Sequence, residues 1–220
     1  MINLEKAAEK LIDGKGVSKS IVEDIGQEVK VLSESRRPPS LRVIILGNDP
    51  ASRVYVRSKI KTAGKCGIES ELVELPDNID EQTLFDLIDQ FNKDEEIDGF
   101  MVQLPLPLHI SPKDVIERIS PYKDVDGIHP FNLGKMVEGT PLFVPCTPMG
   151  IMELLNRYGV ETEGRKAVVI GRSIIVGRPM ALLLSTKMEG GNATVTMCHS
   201  RTRDIGSETR KADILVSAGG

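Results

Sequence analysis

The sequence has no tryptophan and only three tyrosines and five phenylalanines among 220 residues. So few rings argue against the stacking platforms on which single-stranded nucleic acids are held. Basic charge is not in excess: 28 Lys and Arg face 32 Asp and Glu, a net charge of -4. With a pI of 5.5, no sequence-wide field exists for a phosphate backbone, so no nucleic-acid partner is expected. Long apolar runs are also missing. Val43–Leu46 and Ala181–Leu184 fall far short of the roughly 20 residues that a bilayer helix needs. Met1–Lys10 alternates apolar and charged residues and carries no apolar block of a secretory leader. Cys66, Cys146 and Cys198 are odd in number, widely spaced and form no CxxC. This predicts a reducing cytoplasm, with neither a disulfide framework nor a zinc site. His109, His129 and His199 have no ligand spacing, so no metal is expected.

What is present is a globular composition, 40% hydrophobic and 27% charged, arranged as short apolar runs alternating with amphipathic segments. Ile21, Ile25, Val29 and Leu32 recur at helical spacing and predict a helix over 16–34, broken by Arg36-Arg37-Pro38-Pro39. Strands are predicted at 41–46, 69–75, 99–102, 166–170, 193–198 and 214–218. Helices are predicted between them at 51–66, 80–92, 111–119, 147–158, 176–185 and 205–211, with Ser111 and Thr147 as N-caps. Such alternation implies parallel sheets with helical crossovers. Pro121–Pro145, with Pro130 and Pro141 inside it, reads as loop and as the seam between two α/β domains, 1–145 and 146–220. Ile214–Ala218 reads as an interior strand and Gly219-Gly220 as the start of the next loop, so the second domain is expected to continue beyond residue 220.

Residues 167–180, AVVIGRSIIVGRPM, read as strand, tight turn and helix. Gly171 stands where a dinucleotide fold needs its first glycine. Ser173 replaces the second, and Gly177 falls one residue later than the usual third. Backbone N–H groups at such a helix start suit a pyrophosphate; the plainer alternative is a turn that binds nothing. The next strand ends in His199-Ser200-Arg201-Thr202-Arg203, with no acid to repel a 2′-phosphate. Together with Arg172 this chemistry favours NADP over NAD; a solvated basic loop is the alternative.

In the first domain Ser52, Tyr55 and Lys59 fall at i, i+3 and i+7 and share a helix face. A lysine there suits acid–base work if desolvated, or it is a solvated helix lysine. Gln103 follows a buried strand, at the strand end where α/β folds bind ligands. Asp124 and Asp126 flank a turn in Lys123-Asp124-Val125-Asp126-Gly127. Paired acids suit acid–base work, a metal or a donor-rich ring; otherwise they cap their own turn.

These stretches, ASRVYVRSKIK at 51–61, VQLPLP at 102–107, KDVDGIHP at 123–130, PCTPMG at 145–150, GRSIIVGRP at 171–179 and ATVT with CHS at 193–200, resemble the bifunctional methylenetetrahydrofolate dehydrogenase/cyclohydrolase family. The resemblance implies two α/β domains flanking a cleft, the second a Rossmann-like NADP-binding domain. It implies oxidation of 5,10-methylenetetrahydrofolate to the methenyl cation, then hydrolysis to 10-formyltetrahydrofolate. It makes Lys59 the principal catalytic residue, tuned by Gln103, with Tyr55 against the folate rings and Asp126 on the pterin. Ser52 joins the substrate site. By the resemblance Arg172, Ser173 and Ser200 should line the NADP site, and the reading of the glycine loop and of the second strand adds Gly171, Gly177, His199 and Arg201. The resemblance also implies a homodimer joined through the cofactor domain. The family's closing motif, PGGVGPMT, does not occur in these 220 residues. Two other readings stand beside this one: a shikimate-dehydrogenase-like NADP oxidoreductase, and an inactive NADP-binding remnant.

Overall fold

The computed structural model describes residues 11–219; Met1–Lys10 and Gly220 lie outside the described residues. The chain divides into two compact units. One is Val22–Val144; the other runs from Pro145 and includes the described residues before Val22.

In the first unit, β1 (Ser40–Leu46) is central, with β2 (Glu69–Leu75) and β3 (Gly99–Val102) on either side, all parallel. Parallel neighbours need crossovers. These are α2 (Pro50–Lys65) between β1 and β2 and α3 (Glu81–Lys93) between β2 and β3. Because strand side chains alternate in direction, β1 feeds two cores. Ile44 and Leu46 pack with Leu84, Ile88, Phe100 and Val102. Val43 and Ile45 pack with Val56 of α2 and Met101. α2 begins where Asp49 accepts the Ser52 N–H at 2.8 Å and Pro50 occupies the first turn, since a proline costs no hydrogen bond there. α4 (Pro112–Arg118) starts as the sequence predicts, with Ser111 Oγ accepting the Asp114 N–H at 3.3 Å.

Two local expectations fail. The stretch read as loop holds a helix, α5 (Pro130–Glu138). His129 caps it through Nδ1, which accepts the Phe131 N–H at 3.0 Å, Pro130 fits its first turn, and Gly139 ends it at φ 81°. Thr147 is not a cap: α6 (Cys146–Arg157) starts one residue earlier, with Pro145 in the cap position and no side-chain cap bond.

The second unit repeats the plan. β4 (Lys166–Ile170) lies between β5 (Thr194–Cys198) and β6 (Ile214–Ser217), again all parallel. α7 (Gly177–Ser185) and the short α8 (Ile205–Thr209) make the crossovers. Ala167, Val169, Met180, Leu184, Ile214 and Val216 form the core. α1 (Gly14–Leu32) begins in this unit, whereas the sequence places all of 1–145 in the first. Asp13 N–H donates to Tyr158 Oη at 2.6 Å and Arg157 to Ser20 Oγ at 3.0 Å.

Candidate functional site

In both sheets the chain leaves the central strand at its C-terminal end and the strands on either side are reached by opposite crossovers. Such a switch point is where doubly wound sheets bind ligands.

In the first unit this end carries a compact polar group. Lys59 Nζ stands 3.2 Å from Met101 Sδ, 3.5 Å from Gln103 Oε1 and 4.8 Å from the centre of the Tyr55 ring. Helix geometry stacks Tyr55 and Lys59 one turn apart. Strand alternation sends Met101 and Gln103 to the same face, the one that α2 covers. Gln103 is held through both its backbone and its side chain: its N–H donates to Ile44 O at 2.8 Å and its Nε2 to Leu104 O at 2.8 Å. With Nε2 so engaged, Oε1 is the atom that faces the lysine. At 3.5 Å that contact is long for a hydrogen bond. Tyr55 is 57% exposed, so the aromatic side chain beside the amine is open to solvent.

Asp126 completes the group. Its carboxylate is half-buried, and among the described residues it accepts no hydrogen bond. Burial pushes its carboxyl above the ordinary range; the Lys59 charge opposes that and the Asp124 charge adds to it. Its neighbour Asp124 behaves differently, being buried and bonded within its own loop. Ser52 has a local role: its N–H and hydroxyl serve Asp49, holding that carboxyl below the usual range. The structure therefore brings Tyr55, Lys59 and Gln103 together, with Asp126 within electrostatic reach of Lys59, and gives Ser52 to the cap of α2. Sequence reasoning misses Met101; its place two residues before Gln103 on a strand is the available signal.

In the second unit Gly171 lies at φ 124°, where a Cβ would run into Ala218 O. A Cβ on Gly177 would run into the Gly171 carbonyl, so both positions need glycine for close backbone approach. Ser173 makes up for the missing second glycine in another way. Its Oγ accepts the N–H groups of Val176 at 3.1 Å and Gly177 at 3.3 Å, capping α7. The N–H groups of residues 172–175 find no acceptor among the described residues. Unspent N–H groups before a helix make a cradle for an anion. The Arg172 side chain is exposed beside them. After β5, His199 N–H donates to Thr202 Oγ1 at 2.9 Å and His199 Nδ1 accepts the Arg201 N–H at 3.1 Å. That tight turn leaves Ser200 and Arg201 exposed at the strand end, while His199 Nδ1 is used inside the turn. These residues fit a phosphorylated dinucleotide. Among the described residues no group of His, Cys, Asp and Glu is placed to hold a metal ion.

Known proteins share this sequence and fold. The family described as tetrahydrofolate dehydrogenase/cyclohydrolase, catalytic domain, matches residues 12–126, and its NAD(P)-binding domain matches residues 145–220. The bifunctional protein FolD of Halothermothrix orenii is 53% identical over 213 residues, covering 96% of this chain and 74% of that protein. The FolD of Bacillus pumilus is 52% identical over 210 residues, with 96% and 73% covered. Among solved structures, the bifunctional FolD methylenetetrahydrofolate dehydrogenase/cyclohydrolase of Campylobacter jejuni superposes with a TM-score of 0.91 at 43% identity, over 95% of this chain and 73% of that one. The Trypanosoma brucei dehydrogenase–cyclohydrolase, solved with NADP and an inhibitor, gives 0.89 at 41% identity, over 96% and 71%. The chain belongs to the tetrahydrofolate dehydrogenase/cyclohydrolase family.

Proposed function

We propose that the protein is a bifunctional, NADP-dependent methylenetetrahydrofolate dehydrogenase and methenyltetrahydrofolate cyclohydrolase. The observation that carries this reading is the grouping of Lys59, Gln103, Tyr55 and Asp126 at the switch point of the first sheet. It is supported by relatives of that double activity at about half identity over nearly the whole chain.

Bound NADP supplies the acceptor for the hydride lost from the one-carbon bridge of the folate. The residues of the chain bind and orient. The unspent Asp126 carboxylate suits the amino and ring N–H donors of a pterin, which need acceptors and offer no charge of their own. Tyr55 offers its open face to the flat ring system. Oxidation leaves a methenyl cation. Hydrolysis adds water to that carbon, releases one proton and opens the ring to 10-formyltetrahydrofolate. Lys59 Nζ is the group for that step: neutral, it has a lone pair for the proton; protonated, it has charge for the oxygen of the tetrahedral intermediate. Gln103 Oε1 aims it. A shikimate-like substrate is not favoured, because the open Tyr55 ring and the unspent Asp126 carboxylate suit a flat ring rich in donors.

On the cofactor side, the cradle at 172–175, Arg172 and the acid-free turn at His199–Arg203 are read as the NADP site, with Gly171, Gly177, Ser173, Ser200 and Arg201 around it. We expect kcat/KM for oxidation of 5,10-methylenetetrahydrofolate to favour NADP over NAD by at least about tenfold. One charge-assisted contact of roughly 1.5–3 kcal/mol suffices for that ratio. Equal values for the two cofactors, or turnover of shikimate in place of the folate, contradict the reading. No helix among the described residues is long and apolar enough to cross a membrane. A cytoplasmic homodimer joined through the NADP-binding unit follows from the family likeness; a monomer mass by light scattering at micromolar concentration contradicts it.

A further inference from the structure

The two acids of the KDVDG turn meet opposite surroundings. Asp124 is 3% exposed and accepts two bonds of 2.8 Å, from the His129 N–H and from Asn132 Nδ2. Asn132 is fully buried on the first turn of α5, and its Nδ2 also donates to Pro121 O at 3.0 Å. Both amide hydrogens are thus spent on one loop, which fixes how the side chain is turned. Its Oδ1, also buried, has no partner. The rest of the loop is pinned from outside: Phe100 N–H donates to Lys123 O at 2.9 Å, and Lys123 Nζ reaches Asp94 O at 2.6 Å and Phe91 O at 2.9 Å. A Cβ on Gly99 would run into Val125 Cγ1, so the loop lies directly on β3. Asp126 sits between these anchors and spends no acceptor on the protein.

We infer that Asp124 and Asn132 are positioning residues, a buried acid–amide clip that closes the loop 121–132 and presents Asp126 beside Lys59 with its oxygens unspent. The inference rests on the reading of Asp126 as the partner of the pterin. A buried carboxylate is tolerated only when hydrogen-bonded, and both donors of Asp124 come from the start of α5. The helix that the sequence hides among its prolines therefore holds the Asp124 end of the loop, while Lys123 and Val125 tie it to β3 and α3. Without the Asn132 donor, Asp124 is left short of a partner and the loop relaxes toward water, carrying Asp126 with it. Asp124 also acts through its charge. The charges facing Asp126 are Lys59 from α2 and Asp124 from its own loop; an amide at 124 removes the one that opposes its ionisation.

The test is steady-state kinetics of Asn132→Ser, Asp124→Asn and Asp126→Asn, each run below its own melting temperature. Asn132→Ser is expected to raise KM for 5,10-methylenetetrahydrofolate about tenfold and to lower kcat, as misplacement of a binding group does. KM for NADP, whose residues lie in the other unit, stays within about twofold. Asp124→Asn is expected to move the acid limb of the folate kcat/KM profile to lower pH. A clip that is merely structural lowers the melting temperature and the active fraction but leaves the folate KM and the pH profile of the surviving enzyme as in wild type; that result overturns the inference. Should Asn132→Ser not fold, an unmoved acid limb in the isosteric Asp124→Asn overturns it. Impaired Asp126→Asn beside wild-type Asn132→Ser overturns the inference alone. Wild-type folate kinetics in Asp126→Asn overturn the reading of Asp126 and the inference with it.

Discussion

Lys59→Met is expected to abolish hydrolysis of methenyltetrahydrofolate above the buffer rate. General acid–base groups contribute about 10²–10⁴-fold, and methionine offers neither a lone pair of that basicity nor a charge. The unbranched side chain keeps most of the volume beside Met101, so the fold survives. Oxidation of 5,10-methylenetetrahydrofolate falls less, because hydride transfer depends mainly on how the two rings are aligned. The two rates therefore separate in one variant. A solvated helix lysine predicts no change in either, and wild-type hydrolysis in Lys59→Met would remove Lys59 from the mechanism.

Asp126→Asn is expected to gain stability while losing function. In the proposed binding mode two charge-assisted bonds to the pterin, at roughly 1.5–3 kcal/mol each, become at best one neutral bond, and the new amide hydrogens face the pterin's own donors. A loss of about a hundredfold in folate kcat/KM follows. The stability change has the opposite sign. Burial raises the Asp126 carboxyl in the folded state above its ordinary value of 3.8, helped by Asp124 and opposed by Lys59. The folded state therefore binds this proton more tightly than the unfolded chain does. The stability that goes with the protonated form is fully present below pH 3.8 and is lost as pH rises through the raised folded value. Asparagine does not ionise, so the variant melts higher than wild type near pH 7 and the gap closes below about pH 4. Melting curves at the two pH values check this. A variant less stable than wild type at pH 7 would mean that the ionised carboxylate has a partner that holds it in the free protein.

Much of the fold is legible in the sequence because strands and crossovers carry separate periods. The runs at 69–75, 99–102 and 166–170 become strands over those same residues. Ser111 caps its helix because serine, proline and an acid follow in the order an N-terminus needs. α5 escapes because its cap is a histidine, an unusual acceptor, and because Pro130 reads as a breaker in sequence although it sits at the one turn that tolerates it. Thr147 misleads for the converse reason: a good cap residue stands one position inside the helix.

The site is legible only in part. Helix spacing alone puts Tyr55 beside Lys59, and strand alternation alone puts Met101 beside Gln103. No local rule says that these two pairs meet; that depends on α2 covering the face of β3 that carries them. The spacing of Asp124 and Asp126 does not tell a structural acid from an unspent one, since both stand in the same turn. Burial and the donors of His129 and Asn132, which come from a helix not visible in the pattern, separate them. Ser173 hides the glycine pattern while serving the same turn by capping α7.

The most direct test of the account is a single time course at the methenyl absorption band, with the protein, NADP and 5,10-methylenetetrahydrofolate in one sample. The account predicts that the methenyl signal rises only with the cofactor present and then falls faster than in buffer, as 10-formyltetrahydrofolate forms. No methenyl signal from the folded protein, or a signal that decays only at the buffer rate, would contradict it.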